Sequence, residues 1–304
     1  MAQKLITVFG ATGNQGGSVI KHILADPVLS KEFKIRGITR DTTKPAAQAL
    51  SKQGVELKSA DLNSEASIKE AISGSHTVFL VTNFWESLNA EMEIRQGKNV
   101  ADAAKEEGVS HLIFSSLLNV TELTQGRLKH VPHFDDKAEV ERYIKTTGVP
   151  CTFVMPGYFM SNLPGMMKKA ADGSYELAYP ISEKSEIPLF ATAEDMGKFV
   201  NAAIKNAASL NGKQVLAATD YYTVERMLSE FEQVTGKKAT FTQVTAEQYK
   251  SFLPEAMAQE VLETHLFTEK PGYFNGMSLK ESLALLDERP TTWKDFVKNS
   301  TAFQ

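Results

Sequence analysis

The chain of 304 residues carries a single cysteine, Cys151. One thiol cannot close an intramolecular disulfide, so the fold is expected to stand on its packed core in a reducing compartment, the cytosol or nucleus. No apolar run approaches the roughly 18 residues of a membrane span. The run from Leu5 to Phe9 is also too short for the apolar stretch of a secretory signal, so a soluble, unprocessed chain with no membrane partner is expected. Positive charge is not in excess: 33 Lys and Arg stand against 37 Asp and Glu, a formal net charge of -4. That balance argues against gripping a phosphate backbone, so no direct nucleic-acid partner is expected. Internal repeats and low-complexity tracts are missing. So are a Gly-x-Ser-x-Gly elbow and a Gly-Lys pair followed by Ser or Thr, which removes the serine-hydrolase and Walker-loop readings. With 42% hydrophobic and 23% charged residues, an ordinary globular core remains.

Up to about Gly157, short apolar runs bounded by turn residues alternate with segments of helical periodicity, the pattern of βαβ units. Predicted strands run from residue 5 to 9, 34 to 39, 55 to 59, 77 to 81, 111 to 114 and 151 to 155. They are rich in β-branched, aromatic or leucine residues, as strands buried on both faces tend to be. Between the first two, Val19, Ile20, Ile23 and Leu24 share one helical face and Asp26-Pro27 is a stop. The expected fold is α/β, a Rossmann-type doubly wound parallel sheet with a smaller, mainly helical C-terminal lobe. The division is 1–157 for the dinucleotide-type domain and 158–304 for a substrate- or partner-binding lobe, some segments of which return to the sheet. In that lobe Val224, Met227, Leu228, Phe231 and Val234 form a core-facing stripe. Thr192-Ala193-Glu194-Asp195 and Ser278-Leu279-Lys280-Glu281 have the spacing of capping boxes.

The strongest local signal is Gly10-Ala11-Thr12-Gly13-Asn14-Gln15-Gly16, set between a predicted strand and a helix predicted from Ser18 to Leu24. Glycines there permit a tight turn, close approach to a pyrophosphate and close helix-on-strand packing, while the helix start stabilises the anion. The end of the second strand selects the cofactor: an acidic residue suits a free ribose, an arginine a 2′-phosphate. Here it reads Ile38-Thr39-Arg40, with Lys44 just beyond, so NADP(H) is expected over NAD(H). The alternative for Arg40 is a solvated basic turn.

Val8-Phe9-Gly10-Ala11-Thr12-Gly13, Ile38-Thr39-Arg40, Val81-Thr82-Asn83-Phe84-Trp85-Glu86, His133-Phe134-Asp135-Asp136-Lys137 and Pro156-Gly157-Tyr158-Phe159 together resemble the NmrA-like family. These are atypical members of the short-chain dehydrogenase/reductase superfamily, and the likeness is to their NADP(H)-sensing branch. The resemblance implies that Gly10, Thr12, Gly13, Asn14, Gln15 and Gly16 hold the pyrophosphate and that Arg40 and Lys44 face the 2′-phosphate. It implies further that Asp61 and Leu62 border the adenine, that Thr82, Asn83 and Phe84 line the ribose side and that Arg95 adds a basic contact. Lys137 would hold the nicotinamide ribose, with Tyr158, Phe159 and Asn162 closing over the nicotinamide.

The Tyr-x-x-x-Lys pair by which short-chain dehydrogenases typically pass a proton is missing, since none of the eight tyrosines is followed by lysine four residues later. His133 stands four residues before Lys137, on one face if a helix begins early enough. With a reference pKa of about 6.5, an imidazolium is a competent proton donor near neutrality. Ser116 (or Ser115) at the end of the fifth strand is a candidate to bind a substrate oxygen. The candidate catalytic set is therefore His133, Lys137 and Ser116, against a reading in which His133 only fixes its loop. A metal site on His130, His133 and Asp135 lacks further ligands, so none is expected. Two functions follow: a redox or cofactor sensor that regulates a protein partner such as a transcription regulator, or an NADPH-dependent reductase of a small carbonyl, enone, imine or quinone. The chain is expected as a monomer or homodimer.

Overall fold

The apolar runs of the first half form strands where their patterning places them. A computed structural model describes residues 2–303. In chain order the strands are β1 (Lys4–Phe9), β2 (Phe33–Ile38), β3 (Glu56–Lys58), β4 (Thr77–Leu80), β5 (His111–Ser115) and β6 (Cys151–Pro156), then β7 (Tyr158–Phe159), β8 (Met167–Lys169), β9 (Tyr175–Tyr179), β10 (Glu186–Phe190), β11 (Gln214–Ala217), β12 (Asp220–Thr223) and β13 (Ala239–Gln243). The central sheet has seven strands in the order β11-β6-β5-β4-β1-β2-β3. All its pairings are parallel. The order reverses between β1 and β4, and a doubly wound sheet opens its binding crevice at the carboxyl ends of such a pair.

Both faces of the sheet are covered, which is why its strands read as continuous apolar runs. On one face Val19, Ile20 and Ile23 of the Asn14–Ala25 helix pack with Met196, Phe199 and Val200 of the Thr192–Lys205 helix. Gly197 permits this crossing, and its amide donates to Ser18 Oγ at 3.0 Å. The other face carries the Glu65–Ile72, Ala90–Glu106 and Pro132–Thr147 helices. The last two cross where a Cβ on Gly97 would lie 2.5 Å from Val140 Cγ1. That close approach brings Glu93 and Lys137, one turn earlier on each helix, into contact.

Beyond β6 the chain packs around a second core centred on Tyr179, Phe231, Trp293 and Phe303, which also takes in Val120, Val131 and Phe134 from before β6. Its helices are joined by two three-stranded sheets, β12-β10-β7 and β13-β9-β8. Strands of two to five residues carry too little alternation to be legible in sequence. β11 leaves the lobe to pair with β6. The stripe Val224, Met227, Leu228, Phe231 is buried as core.

Neither expected capping box forms. Thr192 lies inside its helix, whose cap position is Ala191 with no side-chain bond, because Asp195 is drawn away to accept Thr291 N (2.8 Å) and Oγ1 (3.0 Å). Ser278 Oγ instead accepts from Lys280 N in a local turn, and the next helix starts after Leu279 without a side-chain cap. The reciprocal motif occurs at Thr245 and Gln248. The first helix begins at Asn14, four residues before the expected start. No helix among the described residues is long and apolar enough to cross a membrane.

Candidate functional site

The turn after β1 is built for backbone approach. Gly10 has φ +65°, a conformation that L side chains rarely adopt. A Cβ on it would also lie 3.0 Å from Val81 Cγ1, at the end of β4. A Cβ on Gly16 would lie within 2.6 Å of the Phe9 carbonyl oxygen. Helix Asn14–Ala25 therefore starts directly on the strand, with Gly13 at the cap, no side-chain cap and no acidic residue in its first turn. Its first amides are left for an anion. Gln15 Oε1 is enclosed here without a hydrogen-bond partner. Bare helix amides, a cradle that a Cβ would fill and an orphaned amide oxygen together fit a dinucleotide pyrophosphate. Thr12, Gly13 and Asn14 are exposed on the same turn.

Beyond β2, Arg40 reaches across the crevice mouth to Glu86, with its side chain 77% exposed. Asp41 does not compete for it: Asp41 Oδ1 accepts from Thr43 N at 2.9 Å and Thr43 Oγ1 at 2.6 Å. Those bonds hold the Asp41 carboxyl below its ordinary range. Lys44 is exposed at the start of helix Pro45–Ser51. Asp61, Leu62 and Arg95 are brought together. Asp61 Oδ1 accepts from Asn63 N, Arg95 donates to Asn63 Oδ1 at 3.3 Å, and Asn99 Nδ2 donates to the Leu62 carbonyl at 3.1 Å.

At the end of β4, Thr82 is buried and enters a charged cluster. Its hydroxyl donates to Glu93 Oε1 at 2.6 Å. Lys137 Nζ donates to Thr82 Oγ1 at 2.9 Å, to Thr82 O at 3.2 Å and to Glu93 Oε1, so its three donors are all engaged. Beside it, burial and then the charge of Glu93 push the Asp136 carboxyl up to about 7. No role is assigned to Glu93 or Asp136 from sequence, since an isolated carboxylate on a helix is usually solvated.

His133 stands on the first turn of helix Pro132–Thr147. Its ring lies 4.8 Å from Trp85 and 6.2 Å from Phe84 between centroids. Nδ1 pairs with Glu260 of the C-terminal lobe, whose Oε1 also accepts His133 N at 3.1 Å. One turn along from Glu260 on helix Glu255–Phe267, Glu263 repeats the arrangement on His130, with Oε2 2.7 Å from its amide and Oε1 2.6 Å from Nδ1. Burial alone would raise the Glu263 carboxyl, but the His130 and Gln259 bonds hold it below its ordinary value. The matching three-residue spacing of the two histidines and the two glutamates was the available clue to these partners.

Ser116 is not brought to His133 or Lys137. Its hydroxyl donates to buried Glu141 Oε2 at 2.6 Å, and Glu141 Oε1 accepts from Lys145 and Gln214. Ser115 Oγ is buried without a partner. Tyr158 is enclosed in the lobe, its hydroxyl 3.1 Å from that of Tyr179, and burial pushes its pKa up to about 12. Phe159 packs on Phe190, and Asn162 is exposed in the following turn. Asn83 is exposed before buried Phe84. Among the described residues no three His, Cys, Asp or Glu side chains form a group that could hold a metal ion.

A parallel sheet reversing at β1/β4, with a glycine turn feeding a bare helix start, defines a Rossmann-type protein. The NmrA-like family model matches residues 2–297, and the chain belongs to that family. The NmrA-like family domain-containing oxidoreductase ptmS of Penicillium ochrochloron is 34% identical over 263 residues, covering 80% of this chain and 76% of that protein. The similarly named malD of Malbranchea aurantiaca is 34% identical over 258 residues, with 80% and 76% covered. Among solved structures, NmrA, a negative transcriptional regulator in complex with NADP, superposes with TM-score 0.83 at 23% identity, covering 98% of this chain and 95% of that one. Triphenylmethane reductase of Citrobacter sp., complexed with NADP(H), gives 0.77 at 22% identity, covering 97% and 99%. At such identities the structural likeness establishes the fold.

Proposed function

We propose that this protein binds NADP(H) in preference to NAD(H) and acts as a cofactor sensor that regulates a protein partner such as a transcription regulator. The observation that carries this reading is the Arg40–Glu86 pair. Glu86 belongs to the segment from Phe84 to Leu88, which also presents Trp85 and Leu88 to solvent. Arg40 can hold either Glu86 or a 2′-phosphate with its planar fork. Exchanging one for the other frees a segment whose exposed apolar side chains suit a protein partner. Cofactor identity and the partner surface thus meet on five residues, and a bound group moves such an equilibrium only by its differential affinity for the two states. The gathering of Gly10, Gly16, Arg40, Thr82 and Lys137 around one crevice supports the cofactor part.

The test uses Trp293→Phe, which leaves Trp85 as the sole tryptophan, because the protein has two. Iodide quenching of Trp85 is expected to change with NADP+ but little with NAD+. Identical quenching with both cofactors, each shown to be bound, would sink the sensor reading.

A second reading, an NADPH-dependent reductase of a small carbonyl, enone, imine or quinone, is favoured by the Glu260–His133 pair. The names of the oxidoreductase relatives support it too. When bound, reduced cofactor supplies a hydride. Glu260 fixes the His133 ring through Nδ1, and Nε2, which makes no hydrogen bond among the described residues, can then donate a proton to a substrate oxygen or nitrogen. His133→Ala is expected to abolish NADPH oxidation by a probe such as a soluble quinone while leaving cofactor affinity within about twofold. Unchanged turnover in that variant would remove the reductase role of His133.

A further inference from the structure

We infer that the buried carboxyl pair Glu93 and Asp136 holds one exchangeable proton, which is released when oxidised cofactor binds beside Lys137 and retained when reduced cofactor binds. The inference rests on the reading that Lys137 lies at the nicotinamide ribose.

The geometry begins with two orphaned oxygens. Glu93 is 1% exposed; its Oε1 is filled by Thr82 and Lys137, while its Oε2 is enclosed with no partner. Asp136 is 5% exposed, and its Oδ2 is likewise enclosed with no partner. A buried carboxylate oxygen left unpaired forfeits the hydrogen bonds that water would give it. Lys137 is ion-paired with Glu93, so ionising Asp136 as well leaves a buried negative charge without a paired counter-ion.

The neighbouring charges do not relieve it. Asp135, on the same helix, is spent on Val120 N, Thr121 N and Thr121 Oγ1. Glu260, from the Glu255–Phe267 helix, adds negative charge and is already paired with His133. Lys137 is the cation of the cluster and is bonded to Glu93. A single proton on Asp136 removes the excess. Burial and the charge of Glu93 push the Asp136 carboxyl up to about 7, in agreement with this.

Oxidised nicotinamide carries a ring charge of +1 that the reduced ring lacks. A positive charge beside the pair favours its ionised form, so the carboxyl O–H bond breaks, its electron pair stays on oxygen and the proton passes to solvent. By linkage, oxidised cofactor must then bind more tightly as pH rises through neutrality, while reduced cofactor does not. The redox state of the cofactor is thereby written as a protonation state on the helix that also carries His133.

The experiment is calorimetric titration of the full chain with NADP+ and with NADPH at pH 7, in phosphate and in Tris, whose different ionisation heats report the protons exchanged. Both cofactors carry the same 2′-phosphate, so their difference isolates the ring. NADP+ is expected to release a few tenths of a proton or more beyond NADPH, and its affinity is expected to rise up to about tenfold from pH 6 to pH 8. Asp136→Asn should erase that difference with binding retained, and Glu93→Gln provides a second variant should the first fail to fold. Equal proton release for the two cofactors, or a difference that survives Asp136→Asn, overturns the inference and leaves the cofactor reading standing. Failure of both cofactors to bind overturns the cofactor reading, and the inference with it.

Discussion

The proposed competition of Glu86 and a 2′-phosphate for one guanidinium makes the cofactor preference quantitatively testable. The Arg40 and Glu86 side chains are 77% and 50% exposed. A pair this open to water stabilises by roughly 0–1 kcal/mol. A charge-assisted arginine–phosphate contact is worth about 1.5–3 kcal/mol. The phosphate should therefore win, and Arg40→Ala is expected to lower NADP+ affinity about 10- to 100-fold while changing NAD+ affinity less than about twofold. Glu86→Gln removes the competitor and should raise NADP+ affinity by up to about fivefold, again with little effect on NAD+. The double variant decides the mechanism: without Arg40, Glu86→Gln should give no gain, because the two act through one contact. Calorimetric titration of the four proteins with both cofactors, at low and moderate salt, measures every arm. Equal weakening of NADP+ and NAD+ by Arg40→Ala would refute the phosphate-reading role. A gain from Glu86→Gln that persists without Arg40 would refute the competition.

Gly16→Ala should cost about 3 kcal/mol or more, because its Cβ meets backbone carbonyls rather than a movable side chain; urea denaturation should show it, and a near-neutral result would mean the turn can open. Glu263→Gln should lose about 1–3 kcal/mol at neutral pH by weakening the bonds to His130. Because the native Glu263 carboxyl lies below its ordinary value, that contribution is present above about pH 4.5 and lost as pH falls through the lower native value, so the variant's acid unfolding curve should be flatter. Asp136 has the opposite sign. Its native carboxyl sits near 7 against 3.8 unfolded, so the folded state holds the extra proton between those values and stability falls as pH rises through that window. Asp136→Asn should thus gain on the wild type between pH 5 and pH 8 in urea titrations, and an identical pH dependence for the two proteins would count against the raised value.

The sheet was legible because parallel strands covered on both faces must be apolar throughout, and β1, β2, β4, β5 and β6 fall within a residue or two of their predicted limits. The glycine turn was legible because its chemistry is local: Gly10 needs its positive φ, and Gly16 packs against the end of a strand seven residues away. The expected capping boxes failed because a local motif yields when tertiary contacts offer its carboxylate better donors, as Thr291 does for Asp195.

The sequence by itself determined the doubly wound sheet, the cradle after its first strand and the place of Arg40 just beyond the second strand, since each depends on patterning or on neighbours close in the chain. Only the tertiary structure decided what Arg40, Lys137 and His133 touch. Glu86 comes to Arg40 from 46 residues away, Glu93 to Lys137 from 44 and Glu260 to His133 from 127. A charged side chain in sequence looks the same whether it is solvated or paired. Its partner is chosen by helix crossings such as Gly97 on Val140 and by the docking of the Glu255–Phe267 helix, where burial makes each carboxylate take whatever donor the packing brings within reach.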